Sequence, residues 1–151
     1  MAVSVSPGSS SAVAESSRLQ LALLILRVVV GIIFAIHGGQ KLFVFGFGGV
    51  IGFFTKVGIP LPVIAGPVVT LVEFLGGLAL VAGVVTRVAA VLIALDMVGA
   101  ILLVHLKNGF FLPTGFEYAL TMLTVAVFLA LAGAGAYSVD GAMVGRRRAA
   151  G

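Results

Sequence analysis

Four long apolar stretches, separated by short breaks rich in Gly, Pro and polar residues, dominate this chain. A helix needs about 20 mostly apolar residues to cross the hydrocarbon core of a bilayer. The stretches that fit this requirement are Leu19–Ile36, Val63–Val85, Val88–Leu106 and Phe116–Ala134. The pattern therefore predicts an all-α fold, an integral membrane four-helix bundle with short loops.

The breaks predict where the helices end. The polar run His37–Lys41 is expected to end the first helix, and Pro60 and Pro62 precede the second, because proline disfavours a helix before it. The resulting organisation is a disordered N-terminal tail over residues 1–17, a transmembrane domain over residues 18–140 and a basic C-terminal tail over residues 141–151.

An even number of spans places both termini on one side of the membrane. Five arginines lie on that side and three lysines on the other, and positive charge collects in the cytoplasm. The termini are therefore expected to be cytoplasmic. The two sets are Arg18, Arg87 and Arg146–Arg148 against Lys41, Lys56 and Lys107.

The segment Phe43–Phe54 is apolar and rich in phenylalanine, but it is too short to span a bilayer. Aromatic side chains collect at the boundary between membrane and water. The segment is therefore predicted to be interfacial, lying between helices 1 and 2. A lid over the bundle and a plain aromatic belt are both compatible with this pattern.

Composition removes several classes of protein. Hydrophobic residues make up 61% of the chain and charged residues 9%, whereas a soluble domain has about 25% charged residues. The net charge of +4 includes an arginine run at the C-terminus, without the aromatic-interleaved basic face of a nucleic-acid-binding protein. The lipid bilayer is therefore the first partner, and nucleic acid is not one. The absence of cysteine excludes disulfides and thiolate-ligated metal centres within this chain.

Three charged residues lie inside the predicted spans: Arg27, Glu73 and Asp96. Each costs about 2.5 to 3.5 kcal/mol at the centre of a spanning helix. Their depths overlap, at about 12 to 15 Å into their helices. We therefore expect Arg27 to pair with one or both carboxylates and to hold the helices in register. A proton or quinone pathway is the functional alternative.

A second polar cluster is expected at the outer ends of the helices, formed by His37, Lys41, His105 and Glu117. Asp96 and His105 are nine residues apart, about 180° round an ideal helix. The outer cluster and the buried charges are therefore predicted to be separate sites. Two histidines at the ends of two helices could ligate haem, bind a metal or hydrogen-bond a quinone carbonyl, or simply anchor the helices at the interface. No metal-ligand motif supports the first two readings, and a quinone is the candidate cofactor.

Several segments in order resemble the DoxX family of small bacterial membrane proteins. They are HGGQKLF at residues 37–43, VGIPLP at 57–62, LVEFLGGLALVAGVVTR at 71–87, VHLKNGFF at 104–111, FEYALTML at 116–123 and GAGAYSVD at 133–140. The resemblance implies a four-helix bundle in the inner membrane, a link to a thiosulfate:quinone oxidoreductase of archaea and, in mycobacteria, a complex with superoxide dismutase and a sulfurtransferase. The family's recurrent polar positions fall here on Arg27, His37, Lys41, Glu73, Arg87, His105 and Glu117, and Asp96 is outside that set.

The leading functional hypothesis is a membrane subunit of a redox system that handles a quinone or a small sulfur compound. Any enzymatic activity would be that of an oxidoreductase subunit acting with other membrane or peripheral redox proteins. His37, His105 and Glu117 are the catalytic candidates, with Glu117 orienting a histidine. Lys41, Arg27 and Glu73 are the candidates for cofactor binding. A non-catalytic anchoring subunit and a small-solute carrier are the competing hypotheses, and association into a homo-oligomer stays open.

Overall fold

The structure, a computed structural model, describes residues 7–150 of the chain, with side chains over residues 15–146. Its elements are α1 (Pro7–Gly39), a π-helical segment (Gln40–Phe45), α2 (Gly46–Val57), α3 (Pro62–Ala82), α4 (Thr86–Ala100), a second π-helical segment (Ile101–His105), a 3-10 turn (Leu106–Asn108), α5 (Glu117–Ala132) and α6 (Val139–Ala150). The all-α fold class predicted from the sequence is confirmed. Both predicted tails are helical where they are described, in α1 from Pro7 and in α6, and residues 1–6 and 151 lie outside the described part.

Three helical runs among the described residues are long and apolar enough to cross a membrane: Glu15–Val57, Pro62–Ala82 and Thr86–Asn108. The fourth predicted span is the shorter apolar helix Glu117–Ala132, whose 16 residues extend about 24 Å. Antiparallel neighbours form the bundle, since α1 packs along α3, α4 along α5, and α3 along α4. The apolar side chains on the outside of these helices are exposed, as expected for a surface in contact with lipid.

The expected end of the first helix at His37–Lys41 is wrong. Helical backbone continues through the π-helical segment, and the chain changes direction at Gly46, whose φ of 63° and ψ of 168° lie outside the helical region. The aromatic segment is therefore a helix, α2, which packs on α3. Val50 and Phe54 of α2 are buried with Ile59 in a small apolar cluster of their own.

Glycine allows α1 and α3 to approach closely. A side chain at Gly38 would collide with the backbone of Phe74, and one at Gly31 would lie 2.8 Å from the carbonyl oxygen of Gly77. Small residues let helix backbones touch in a membrane, where the hydrophobic effect does not drive helices together. The close approach brings the end of α1 against the middle of α3.

A group of polar contacts, here called the clamp, closes the bundle at the end opposite α2. It consists of Arg27, Tyr137 and Asp140 with the turn Gly83–Thr86. The Asp140 backbone N–H donates to the Gly83 carbonyl at 2.9 Å, and the Asp140 carboxylate accepts from the N–H groups of Val85 and Thr86, each at 2.9 Å. The clamp thus ties the segment after α5 to the interior of α1, the end of α3 and the start of α4.

Candidate functional site

A cavity of about 1010 Å³ lies between α1, α2, α3, the end of α4 and the start of α5. Its walls are mostly apolar, and α2 supplies Val50, Phe53 and Phe54 to one side. Ligand sites in proteins commonly combine such apolar walls with a few convergent polar groups. The polar and charged side chains here are His37, Lys41, Glu73, Asp96, His105 and Tyr118.

The centre of this polar set is an ion pair between Lys41 and Glu73, with 2.6 Å from Nζ to Oε1. The Glu73 side chain is 6% exposed and that of Lys41 24% exposed, so the pair is largely shielded from solvent. Lys41 lies in the first π-helical segment, directly after the glycine contact between α1 and α3. The tight packing at Gly38 therefore sets the distance between Lys41 and Glu73.

Asp96 joins this pair from α4. Its carboxylate interacts with both Glu73 and Lys41, and it is within hydrogen-bonding reach of Glu73. Among the described residues, two buried carboxylate oxygens, Glu73 Oε2 and Asp96 Oδ2, have no hydrogen-bond partner. Two carboxyl groups thus lie close to a single ammonium group, which contacts Glu73, at the wall of an apolar cavity.

The second π-helical segment brings His105 to the same cavity as Asp96. In an ideal helix the two residues would face opposite sides, but the wider turns of a π-helix change the angle between them. Ile101–His105 is such a segment, and both Asp96 and His105 line the cavity. The prediction that the buried charges and the outer histidines form separate sites is therefore wrong.

The two histidines have different surroundings. His105 Nδ1 lies 2.9 Å from the Thr114 carbonyl oxygen, and since a carbonyl only accepts, this nitrogen carries the proton. Its Nε2 is then the acceptor of the ring. The exposed ring of His37 lies 6.5 Å from the ring of Tyr118, centroid to centroid, with the planes tilted by 40°. Proton donors and acceptors from α1, the second π-helical segment and α5 therefore line the same cavity as the ion pair: His37, His105 and Tyr118.

Arg27 is outside this site. Its guanidinium donates to the carbonyl oxygens of Leu80 at 2.7 Å, Val81 at 3.1 Å and Tyr137 at 2.8 Å, and the side chain is 1% exposed. The expected ion pair between Arg27 and a buried carboxylate is therefore wrong. Arg27 instead donates to two carbonyl groups at the end of α3 and to one in the segment after α5. Its Nε has no hydrogen-bond partner among the described residues.

Glu117 takes a different role from the one expected. Its Oε1 accepts a 2.8 Å hydrogen bond from the Leu112 backbone N–H, so it holds the loop before α5 and does not orient a histidine. The sequence reasoning missed Tyr118, the next residue, whose ring lines the cavity. The available signal was a tyrosine in the first turn of a helix, at the end of the bundle that also carries the two histidines.

Comparisons with known proteins agree with this architecture. The DoxX family profile matches residues 22–106. The chain belongs to the DoxX family. The match covers α1 from Ala22 onward, both π-helical segments and the Lys41–Glu73 pair.

Three relatives support the assignment to the DoxX family. The putative oxidoreductase CatD of Bacillus subtilis is 38% identical over 121 residues, covering 80% of this chain and 86% of the relative. An uncharacterised membrane protein of Mycobacterium tuberculosis is 34% identical over 140 residues, with 85% of each chain covered. A Haemophilus influenzae protein is 32% identical over 122 residues, covering 78% of this chain and 87% of the relative. No solved structure matches the chain.

Proposed function

We propose that this DoxX protein is the membrane subunit of a redox system and that its cavity binds a small redox-active molecule of the quinone class. The observation that supports this most directly is the Lys41–Glu73 pair, joined by Asp96, at the wall of a large apolar cavity. Such a site matches a molecule with a polar ring and an apolar body. The name of the Bacillus relative, a putative oxidoreductase, supports the redox assignment.

The residues present fit a quinone. Its carbonyl oxygens need hydrogen-bond donors, and the polar end of the cavity offers them from Lys41, His37 and Tyr118. Its apolar body fits the side formed by the Phe53 and Phe54 rings of α2. The volume of the cavity lies at the upper end of the 300–1,000 Å³ range that is typical of ligand pockets.

His37 and His105 are proposed to exchange protons with the bound molecule, because the ring nitrogens of an imidazole can donate and accept protons. The chain holds no cysteine and no metal-ligand motif for storing electrons. A quinone supplies the electron-transfer chemistry when it is bound, and the second redox centre would belong to another protein. Membrane or peripheral redox proteins are therefore the proposed partners.

The proposed orientation places both termini in the cytoplasm and the cavity towards the outer side of the inner membrane. Arg18 and Arg87 belong to the clamp end of the bundle, where positive charge favours the cytoplasmic side. A cysteine introduced at Ser17 should then be labelled by membrane-impermeant reagents only in permeabilised cells. A cysteine introduced at Asn108, at the other end, should be labelled in intact cells.

Binding of decylubiquinone to the purified protein in mild detergent tests the function. We expect saturable binding that weakens by about tenfold or more in Lys41→Met, since the variant loses a charged donor at the site. Lys56→Met is the matched control, because Lys56 is an exposed lysine at the far end of α2. Equal binding by wild type and both variants, or no saturable binding at all, would overturn the proposal. Soluble proteins that co-purify in the absence of binding would indicate an anchoring subunit instead.

A further inference from the structure

We infer that Glu73 and Asp96 hold one exchangeable proton between them, and that this proton makes Asp96 a hydrogen-bond donor to a carbonyl oxygen in the cavity. The presence of the proton stands on the geometry of the two carboxyl groups alone. Its role toward a bound carbonyl rests on the proposed function.

Charge balance within the site is the first argument. Lys41 is the only lysine or arginine among the lining residues, and it contacts Glu73 Oε1 directly. With both carboxyl groups ionised, the site would carry a net negative charge inside an apolar protein in a membrane. An unpaired buried charge is costly, and two neighbouring carboxylates commonly relieve that cost by sharing a proton.

The unpartnered oxygens are the second argument. Glu73 is about 95% buried, and neither its Oε2 nor Oδ2 of Asp96 finds a donor in the described protein. Buried acceptors without donors are rare, because the lost hydrogen bonds to water are not replaced. The two carboxyl groups are within hydrogen-bonding reach of each other, so a proton on one of them makes it a donor to the other.

The position of Lys41 decides which carboxyl group keeps the charge. The ammonium lies 2.6 Å from Glu73 and thus stabilises Glu73 as the anion. Asp96 then carries the proton. Its hydroxyl can turn toward Glu73 or toward a ligand oxygen in the cavity, which is the movement that a switchable donor requires.

The other titratable groups at the cavity come from three further elements: His37 from α1, His105 from the second π-helical segment and Tyr118 from α5. The lining residues of α2 are apolar or glycine. His105 already donates to a backbone carbonyl, and the His37 side chain is exposed on the protein surface. If an imidazolium balanced the second carboxylate instead, His37→Gln would move the proton, and this variant belongs in the test.

Infrared spectroscopy of the ligand-free protein tests whether the proton is present. The chain has only five carboxyl side chains, so a protonated carboxylic acid is simple to assign. We expect a carboxylic-acid C=O band at neutral pH that shifts in D2O and is absent in Asp96→Asn. The band should also disappear in Glu73→Gln, because Asp96 would then be the single carboxylate beside Lys41. The control variants Asp140→Asn and His37→Gln should keep it.

An absent band, or one that survives in Asp96→Asn, would overturn the shared proton. Loss of the band in His37→Gln would instead make the imidazole part of the proton-holding group and would contradict the assignment to the two carboxyl groups. Neither outcome depends on whether the protein binds a quinone. Failure of this inference and failure of the proposed function are therefore distinguishable.

Decylubiquinone binding tests the role of the proton. A carboxylic acid and an amide both donate hydrogen bonds, so Asp96→Asn should bind with an affinity close to that of the wild type. Asp96→Leu supplies no donor and should bind about tenfold more weakly. Equal binding by Asp96→Leu and the wild type would overturn the donor role, whereas absence of binding in every variant and in the wild type would overturn the proposed function.

Discussion

The clamp and the cavity both place charged side chains in apolar protein, and they treat those charges in opposite ways. In the clamp, the Arg27 guanidinium is almost fully buried and donates to three backbone carbonyl groups. In the cavity, the Lys41 ammonium group contacts Glu73, with Asp96 beside it. Each region leaves two buried polar atoms without a hydrogen-bond partner among the described residues: Arg27 Nε and Thr86 Oγ1 in the clamp, and Glu73 Oε2 and Asp96 Oδ2 at the cavity. The difference is the nature of the counter-charge, since backbone carbonyl groups surround the cation of the clamp, whereas carboxyl side chains accompany that of the cavity, at the wall of a space large enough for a ligand.

The helix geometry differs in the same way. At the clamp, α3 and α4 end and begin at left-handed residues, Gly83 with φ of 69° and Val85 with φ of 43°, and a short turn joins them. At the cavity, two π-helical segments widen the helices where Lys41 and His105 are needed. π-helical turns cost hydrogen-bond quality and are frequent at functional sites. The helices therefore end in a tight left-handed turn at the clamp, whereas at the cavity helical backbone continues through wider turns that present Lys41 and His105.

Removing the buried charge of the clamp should have the largest effect on stability. Arg27→Met deletes three charge-assisted hydrogen bonds, each worth about 1.5–3 kcal/mol, and leaves buried carbonyls unpaired. We expect a loss of at least about 3 kcal/mol, measured as thermal unfolding in detergent. The control is Arg87→Met, since Arg87 is exposed and donates once, to Ala130 at 3.0 Å. Equal effects of the two substitutions would show that burial does not distinguish Arg27.

The contact between α1 and α3 should connect stability to the cavity. Gly38→Ala places a methyl group against the backbone of Phe74, so it should cost about 1–3 kcal/mol and also weaken ligand binding by separating Lys41 from Glu73. Gly52→Ala is the control, because nothing lies within 4 Å of that position. The control should be neutral or stabilising by up to about 1 kcal/mol, since alanine favours a helix. Unchanged stability and binding in Gly38→Ala would contradict this packing.

The ion pair of the cavity should matter more for binding than for folding. Lys41→Met leaves the carboxyl groups without their ammonium partner, and Glu73→Gln removes the carboxylate that contacts Lys41, so each should lower stability by about 1–2 kcal/mol, less than full burial would cost because Lys41 is partly exposed. The double variant should recover most of that loss, with a coupling energy of about 1–3 kcal/mol, yet bind ligand as weakly as Lys41→Met. Additive losses in a double-mutant cycle would show that the two side chains do not interact.

The smallest expected effect is a pH dependence at the clamp. Burial raises the pKa of Asp140, but hydrogen bonds from Thr86 and Val85 and the charge of Arg27 lower it by more, so the net pKa lies below its ordinary value. A carboxyl group with a lowered pKa stabilises the fold above its ordinary pKa, and this stabilisation is lost as the pH falls through the lower folded value. Asp140→Ala should therefore cost about 1 kcal/mol at neutral pH and progressively less below about pH 4.

The matched control for Asp140 is Glu15→Ala, since Glu15 is an exposed carboxylate near the start of the described side chains. It should leave the unfolding temperature unchanged at every pH. If Asp140→Ala showed the same destabilisation at low and neutral pH, ionisation of Asp140 would play no part in holding the turn Gly83–Thr86.

The positions of the helices were predictable, because they depend on local composition. Apolar stretches and Pro–Gly breaks located α3 and α4 closely. The continuation of helical backbone beyond α1, from Gln40 to Phe45, was not predictable, since the glycines and polar residues of His37–Lys41 ordinarily favour a break. Packing against α3 overrides that local preference.

The candidate residues were found, but their partners were not. Polar residues within an apolar chain indicate function, and this pattern selected the candidates. Four of them line one cavity: His37, Lys41, Glu73 and His105. Their grouping failed because ideal helical geometry of 100° per residue was assumed, and the π-helical segment before His105 changes the face that it presents. Arg27 was assigned to carboxylates because the sequence shows side chains and not the unpaired carbonyls at the end of a neighbouring helix.

The sequence by itself determined that this is a helical membrane protein. It also identified the few charged side chains that require an explanation, because a charge inside a bilayer carries an energetic cost. The tertiary structure alone decided which of those charges meet. Arg27 donates to the carbonyl groups of Leu80, Val81 and Tyr137. Lys41 pairs with Glu73, and Asp96 lies beside them. Pairing depends on distances of a few ångströms between helices, and those are set by glycine contacts and π-helical turns that only the packed bundle fixes.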